Sequence, residues 1–276
     1  MNVCEPMETE MNMEPVITLS RDIAAASATL GRDEARFLVD AYYQMQENRI
    51  RAQGQIRAMS ESGEPHQVLA WLFEQNQTLE NQIKRALAKY IEAHEMGPWL
   101  LATKGIGPVI AAGLVAHIDM DRASSPSAIW RFAGLDPTAE WKKGMKRPHN
   151  ADLKTLCWKI GESFVKVSGY DDAHYGRLWA QKKAELTAKN EAGEYAETAA
   201  RILEEKRIGK ATDAYKHLTA GKLPPGQIHA RAKRWAVKVF LAHMWEAWYE
   251  TRTGKPAPDP WIIAHGGHVD RIKRFH

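Results

Sequence analysis

Between His66 and Met96 the chain runs without a proline or glycine. Its apolar residues Val68, Leu69, Leu72, Leu79, Ile83, Leu87, Tyr90 and Ile91 recur at intervals of three, four and seven. That spacing is the period of one helical face and leaves no room for a strand. A long apolar stripe needs another surface to cover it. The preceding stretch supplies one, with Phe37, Leu38, Tyr42 and Met45 at helical spacing toward Met59. Residues 60–65 (Ser-Glu-Ser-Gly-Glu-Pro) break the pattern. Residues 32–95 are therefore expected to form two long antiparallel helices, a hairpin or short coiled coil. The segment lacks a cluster of convergent polar groups, which points to scaffolding or to pairing with a second copy rather than to catalysis.

The rest of the chain is also expected to be helical, because Val/Ile runs of period two are scarce. Ser20 or the run Gly31-Arg32-Asp33 can open the first helices, with Asp33 and Glu34 near a positive helix start. Gly97-Pro98 reads as a boundary, and 221–226 (Gly-Lys-Leu-Pro-Pro-Gly) as a loop before a strong helix over 228–250. The expected organisation is a disordered tail at 1–19, a helical hairpin at 20–96 and a compact helical segment at 97–170. A helical extension follows at 171–253, then an extended tail at 254–276. The expected class is mostly α.

Charge divides at the same boundary. The net charge is +4. Residues 1–98 hold 9 Lys+Arg against 15 Asp+Glu, while residues 99–276 hold 29 against 19. An acidic front thus precedes a basic body suited to a polyanionic partner. No apolar run is long enough for a transmembrane helix, so no membrane partner is expected. The acidic N-terminus lacks the order of a signal peptide. Cys4 and Cys157 are the only cysteines, which excludes a disulfide framework and a Cys-based zinc site. These features predict a cytoplasmic protein.

The most informative local pattern is Leu100-Leu101-Ala102-Thr103-Lys104-Gly105-Ile106-Gly107-Pro108, leading into Val109-Ile110-Ala111-Ala112-Gly113. It resembles the helix-hairpin-helix motif of non-specific DNA-binding proteins. Two glycines permit a tight turn and close approach to a phosphate. Pro108 suits the first turn of the second helix. The free amides at that helix start favour an anion. Ile106 plugs the turn, and Lys104 can reach a phosphate. With no third glycine and no preceding strand, a dinucleotide-binding loop is excluded.

Further on come Phe132-Ala133-Gly134-Leu135-Asp136-Pro137, a basic loop, and Asn150-x-x-Leu153-Lys154. With Gly-Ile-Gly-Pro before them, this order over residues 97–168 resembles the C-terminal domain of the Piv/MooV-type insertion-sequence transposases and DNA invertases, the bridge-RNA-guided group. The hairpin and residues 169–276 lie outside that match and are similar to phage- and mobile-element-borne proteins of the group. The resemblance implies a DNA-facing helical scaffold. Full-length members also carry a nuclease-like α/β domain with four acidic metal ligands, and a serine nucleophile soon after Gly-Leu-x-Pro. Here the first 98 residues are helical and too short for that domain. Lys143-Gly144 stands at the Ser-Gly position, and no serine occurs between Ser127 and Ser163. A lysine cannot form the phosphate ester that a serine recombinase needs. The expectation is the family's scaffold without its strand-transfer chemistry, hence no catalytic residue and no cofactor.

What fills that region is basic. Lys142, Lys143, Lys146, Arg147, Lys154 and Lys159 face a single acid, Asp152, with Trp141 and Trp158 interleaved. Lysines neutralise phosphates and aromatic faces stack on bases. Trp158 falls with Leu153, Leu156 and Ile160 and is expected in the core, whereas Trp141 is open to a base-stacking role. A second basic element follows: residues 214–245 contain no acid. Arg231, Arg234 and Lys238 share one helical face opposite a stripe of Ile228, Ala232, Trp235, Val239 and Ala242. His265 and His268 could chelate weakly, but no third ligand stands at defined spacing, so no metal is expected. Trp245, Trp248, Tyr249 and Trp261 read as core or interface.

The expected binding residues are thus Lys104, Gly105, Ile106, Gly107, Trp141, Lys142, Lys143, Lys146, Arg147, Asn150, Lys154, Arg231, Arg234 and Lys238. The expected partner is nucleic acid, DNA before RNA, held largely without sequence specificity. Two alternatives stay open: a recombinase or junction-processing enzyme using Asp136, Glu140 or His149, and a structural protein acting through the hairpin.

Overall fold

The computed structural model describes residues 19–63, 66–139, 141–259 and 271–275. Residues 1–18, Glu140, Trp261, His265 and His268 lie outside them. The described residues form eleven α-helices and one 3-10 turn, with no strand among them. In chain order the helices are α1 (Arg21–Ala26), α2 (Arg32–Ser60), α3 (Gln67–Glu92), α4 (Gly97–Ala102), α5 (Pro108–His117) and α6 (Pro126–Phe132). They continue as α7 (Ala151–Val167), α8 (His174–Glu191), α9 (Ala196–Glu205), α10 (Asp213–Thr219) and α11 (Pro225–Thr253). The described residues adopt the expected mostly-α class.

Local chemistry sets the helix ends. The Ser20 hydroxyl accepts from Ile23 N at the start of α1, and the Glu34 carboxylate accepts from Gly31 N at 2.7 Å at the start of α2. The long antiparallel pair expected from the periodicity is α2 and α3. A buried ion pair clamps it midway. Arg49 Nε donates to Glu80 at 2.6 Å and Gln46 Nε2 donates to the same carboxylate at 3.2 Å. Burial pushes the Glu80 carboxyl up, but these hydrogen bonds outweigh it and hold its pKa below the usual range.

The centre of the molecule is α5. Every residue from Ala111 to His117 is buried, so the helix has no solvent face. It packs against α2, α3 and α7. Gly113 permits the closest of these approaches: a Cβ there would lie 2.8 Å from Leu156 Cδ2 of α7 and 3.5 Å from Val39 of α2. One apolar cluster therefore runs from Ala35 and Val39 of α2 through α5 and α7 to Phe240, Trp245 and Trp248 of α11. A smaller cluster joins Trp179, Leu186, Ala199 and Leu218 to Ile228, Ala232 and Ala236 on the first half of α11. The loop before α11 is held by the buried Asn190 side chain, which accepts from Leu223 N at 2.8 Å and donates to Leu223 O at 3.0 Å.

The buried stripe of α11 differs from the expected one. It starts at Ile228 and Ala232, then follows Ala236, Val237, Phe240, Leu241 and Met244. Trp235, Val239 and Ala242 are half-buried. The helix lies between two clusters and turns its apolar face from one to the other. Residues 271–275 return along it: Arg271 pairs with the buried Glu246 at 3.2 Å, and Arg274 with Glu250 at 2.6 Å.

Candidate nucleic-acid interface

The Gly-Ile-Gly turn links α4 to α5. Gly105 sits at φ +96°, a left-handed conformation that glycine adopts without strain. A Cβ there would also meet Phe164 and Val167 at 3.2 Å. Ser163 Oγ donates to Gly105 O at 2.5 Å, fixing the turn to α7. Ile106 is buried beneath it, as the plug reading requires. Gly107 is the residue before α5 and is exposed, with nothing within 4 Å of a Cβ. The amides of Val109 and Ile110 precede the first intrahelical bond, from Ala111 N to Gly107 O at 2.9 Å. Lys104 points elsewhere: its ammonium pairs with Asp172 at 3.2 Å and covers the Tyr170 ring at 4.7 Å.

In front of that turn lies a groove of about 430 Å³, walled by Gly107, Pro108, Lys84, Lys159, Lys166 and Trp158. Glu162 also lines it, but its carboxylate is paired with Lys233. The Lys159 ammonium lies 3.7 Å from the Tyr43 ring centroid, and burial lowers its pKa.

A second pocket, of about 500 Å³, opens between α7, α11 and the Gly134-Leu135-Asp136-Pro137 turn. That turn closes α6: Gly134 has φ +65°, and Leu135 N donates to Trp130 O at 2.8 Å. Thr138 donates to Asp136 Oδ1 from its amide at 2.9 Å and its hydroxyl at 2.7 Å, which holds the Asp136 carboxyl below its usual range. Lys154, Trp158, Lys233 and Arg234 form the facing wall. Cys157 lies at the base, fully buried, and burial pushes its thiol up to about 12, so it has no nucleophilic character at neutral pH.

Trp158 borders both the groove and the pocket and is 58% exposed. The expectation that it packs in the core is corrected. On a helix of about 100° per residue, Leu156, Cys157 and Ile160 lie within roughly 60° of Leu153, whereas Trp158 lies about 140° away. Its indole carries the Lys233 ammonium at 5.4 Å instead of core neighbours.

The loop between the Gly134-Leu135-Asp136-Pro137 turn and α7 is exposed from Trp141 to Pro148. It closes on itself: Trp141 Nε1 donates to Met145 O at 2.8 Å, and the Arg147 guanidinium lies 5.6 Å over the same ring. Trp141, Lys142, Lys143, Lys146 and Arg147 thus form one compact cationic knob. Asn150 has a structural task as the N-cap of α7, accepting from Leu153 N at 2.8 Å. Partial burial, with the Lys154 and Arg147 charges, lowers the pKa of His149. The three basic residues of α11 expected at the interface diverge in use. Arg234 is exposed at the pocket, Arg231 lies 5.1 Å over Tyr195, and Lys238 lies 4.3 Å over Trp130.

The structure therefore gathers Lys154 and Arg234 at one pocket and directs Lys104 and Arg231 to other neighbours. It adds Trp158, Lys233, Lys84, Lys159 and Lys166. The i, i+4 spacing of Lys154 and Trp158 carried that signal. The three lysines of the groove come from distant segments and left none. No group of three or more metal-ligating side chains occurs among the described residues, and no described helix is long and apolar enough to cross a membrane.

Residues 98–171 match the family model described as Transposase IS116/IS110/IS902 family, which supports an IS110-type transposase domain there. The match runs from α4 to the turn before α8, and so includes both glycine turns and Trp158 but none of α11. Searches of curated proteins and of solved structures returned no match.

Proposed function

We propose that this chain is a transposase-related DNA-binding protein that holds the sugar-phosphate backbone largely independently of sequence, in the recombination of a phage or other mobile element. The carrying observation is the convergence on Trp158: a helix start with free amides on one side, and a Gly-Leu-Asp-Pro turn facing Lys154, Lys233 and Arg234 on the other. Cations track phosphates, and an exposed indole between them suits an unpaired base. In this reading the Gly-Ile-Gly turn acts as a helix-hairpin-helix, residues 97–170 form the DNA-facing unit, and α11 extends it. The hairpin of residues 20–96 is the arm through which copies pair.

The test is a binding panel of duplex, single strand, four-way junction and structured RNA at two salt concentrations. DNA binding that weakens steeply with salt is expected. A flat salt response, or no binding to any probe, sinks the reading. Binding confined to the structured RNA would replace DNA by RNA. Replacing Lys154 and Arg234 together with Ala should weaken all probes alike; an unchanged dissociation constant removes the pocket from the interface.

A further inference from the structure

A third cavity, of about 400 Å³, lies where the hairpin meets the body. Phe132 and Asn150 in its wall flank the knob on the chain just as Gly134 and Lys154 do in the other pocket. Its charge comes from elsewhere. Arg32 and Arg36 of α2 reach over the carbonyl end of α5, each Nε donating to Ala116 O, at 3.2 and 2.9 Å. Arg122 enters from the loop before α6, is exposed, and makes no ion pair among the described residues.

One carboxylate lines the cavity, Asp119, and two more act from outside its wall, Asp33 on Arg36 and Asp152 on His117. Asp119, in the wall, lies 3.4 Å from Arg32; Asp33 is bonded to Arg36 at 2.8 Å but is almost wholly exposed, where such a pair contributes little. Three guanidiniums against one carboxylate in the wall leave a cationic cavity. Guanidinium groups present planar forks that fit phosphate oxygens. His117 is only 6% exposed, lines the cavity, and its Nδ1 is buried with no hydrogen-bond partner. A buried polar atom without a partner is costly and calls for a ligand or water to meet it. Phe132, 42% exposed, offers an apolar face beside the arginines.

We propose that this cavity binds a phosphate ester of a nucleic-acid strand, with Arg36 and Arg122 on the phosphate and Phe132 against the adjoining sugar or base. The hairpin then supplies part of the binding surface itself. The inference rests on the reading of the chain as a nucleic-acid binder, and it adds a second pocket to the surface that the strand would meet.

The full chain is tested with the tightest-binding oligonucleotide of the panel. Arg122→Ala touches no described partner and should fold normally. It should weaken binding about five-fold and reduce the salt slope by about one. Arg36→Gln should weaken binding similarly, with circular dichroism confirming the helix content. A photo-reactive residue in place of Phe132 should crosslink to the strand. Wild-type affinity and slope for Arg122→Ala, with no crosslink at 132, overturn the assignment while binding by the wild-type chain leaves the general reading intact. Failure of the wild-type chain to bind any probe overturns both. Thermal stabilisation by inorganic phosphate that Arg122→Ala abolishes, with strand binding unchanged, overturns the strand in favour of a free phosphate.

Discussion

Trp130 and Lys238 hold each other twice. The indole N–H donates to the Lys238 carbonyl at 3.0 Å, and the Lys238 ammonium lies over the same ring at 4.3 Å. Trp130 belongs to the segment that matches the transposase family, and Lys238 to a helix outside it. The pair ties α6 to α11, whose Lys233 and Arg234 line the Trp158 pocket. Trp130→Phe keeps an aromatic face for Lys238 and removes the donor, and should cost about 1 kcal/mol in denaturant unfolding. Trp130→Ala should cost about 3 kcal/mol and also weaken nucleic-acid binding, because α11 loses its seat.

The two glycines of the Gly-Ile-Gly turn should separate stability from binding. Gly105→Ala forces a side chain into a left-handed conformation and against Phe164 and Val167. A loss of about 2 kcal/mol is expected, from strain and crowding together. Gly107→Ala meets open space and should cost under about 1 kcal/mol, the difference between a glycine and an alanine at an N-cap. Its methyl group nevertheless stands where a phosphate would approach, so affinity should fall while the melting temperature barely moves. Equal thermal losses for the two variants would contradict the structural distinction.

Trp158→Ala should leave stability within about 0.5 kcal/mol, since the indole is mostly in solvent. It should weaken single-strand binding by about 1–3 kcal/mol, the range for a stacked base. Equal affinity of wild type and variant for single strands would assign the indole to shielding Lys233 alone.

Acid should loosen the C-terminal strap. His243 is buried between Tyr175, whose hydroxyl lies 3.0 Å from Nδ1, and the Ile272 carbonyl, 3.0 Å from Nε2. With Nε2–H donating to the carbonyl, Nδ1 accepts from the tyrosine and the ring is neutral. Burial, against the Ile272 bond, brings its pKa down to about 4. The unfolded chain binds this proton near pH 6.5, so unfolding is favoured as pH falls below that value. The contribution is complete above about pH 6.5, declines toward about pH 4, and amounts to about 3 kcal/mol. His94 and His117 are also lowered, chiefly by burial, and act in the same direction. Melting temperatures across pH 4–7 should fall on acidification, with a shallower fall in His243→Gln. An identical slope in the variant would remove His243 from the titration.

The hairpin was legible in the chain because period and breaker agreed: stripe, Gly-and-Pro break, stripe. The central place of α5 was harder to read. Pro-Val-Ile-Ala-Ala-Gly-Leu-Val-Ala-His has no polar face, and periodicity speaks only when one face differs from another. Trp158 departs from expectation for a related reason: it neighbours Leu156 and Ile160 in sequence, but its angle carries it off their face. The charged residues of α11 were found by spacing, but spacing is blind to what lies opposite. Tyr195 and Trp130 take up Arg231 and Lys238, whereas Arg234 and its neighbour Lys233 reach the pocket. The arginine cavity was illegible because Arg32 and Arg122 are separated by the whole hairpin and meet only through the fold.

A helix that is apolar on every side cannot travel alone. Wherever α5 goes, its neighbours on both flanks must go with it, or something must stand in for them. Here those covers are α2 and α3 on one flank and α7 on the other. The first two lie outside the stretch shared with the transposase family. The recognisable stretch is thus a graft that needs its host: cut out by itself, it would present bare hydrocarbon to water and associate with whatever is near.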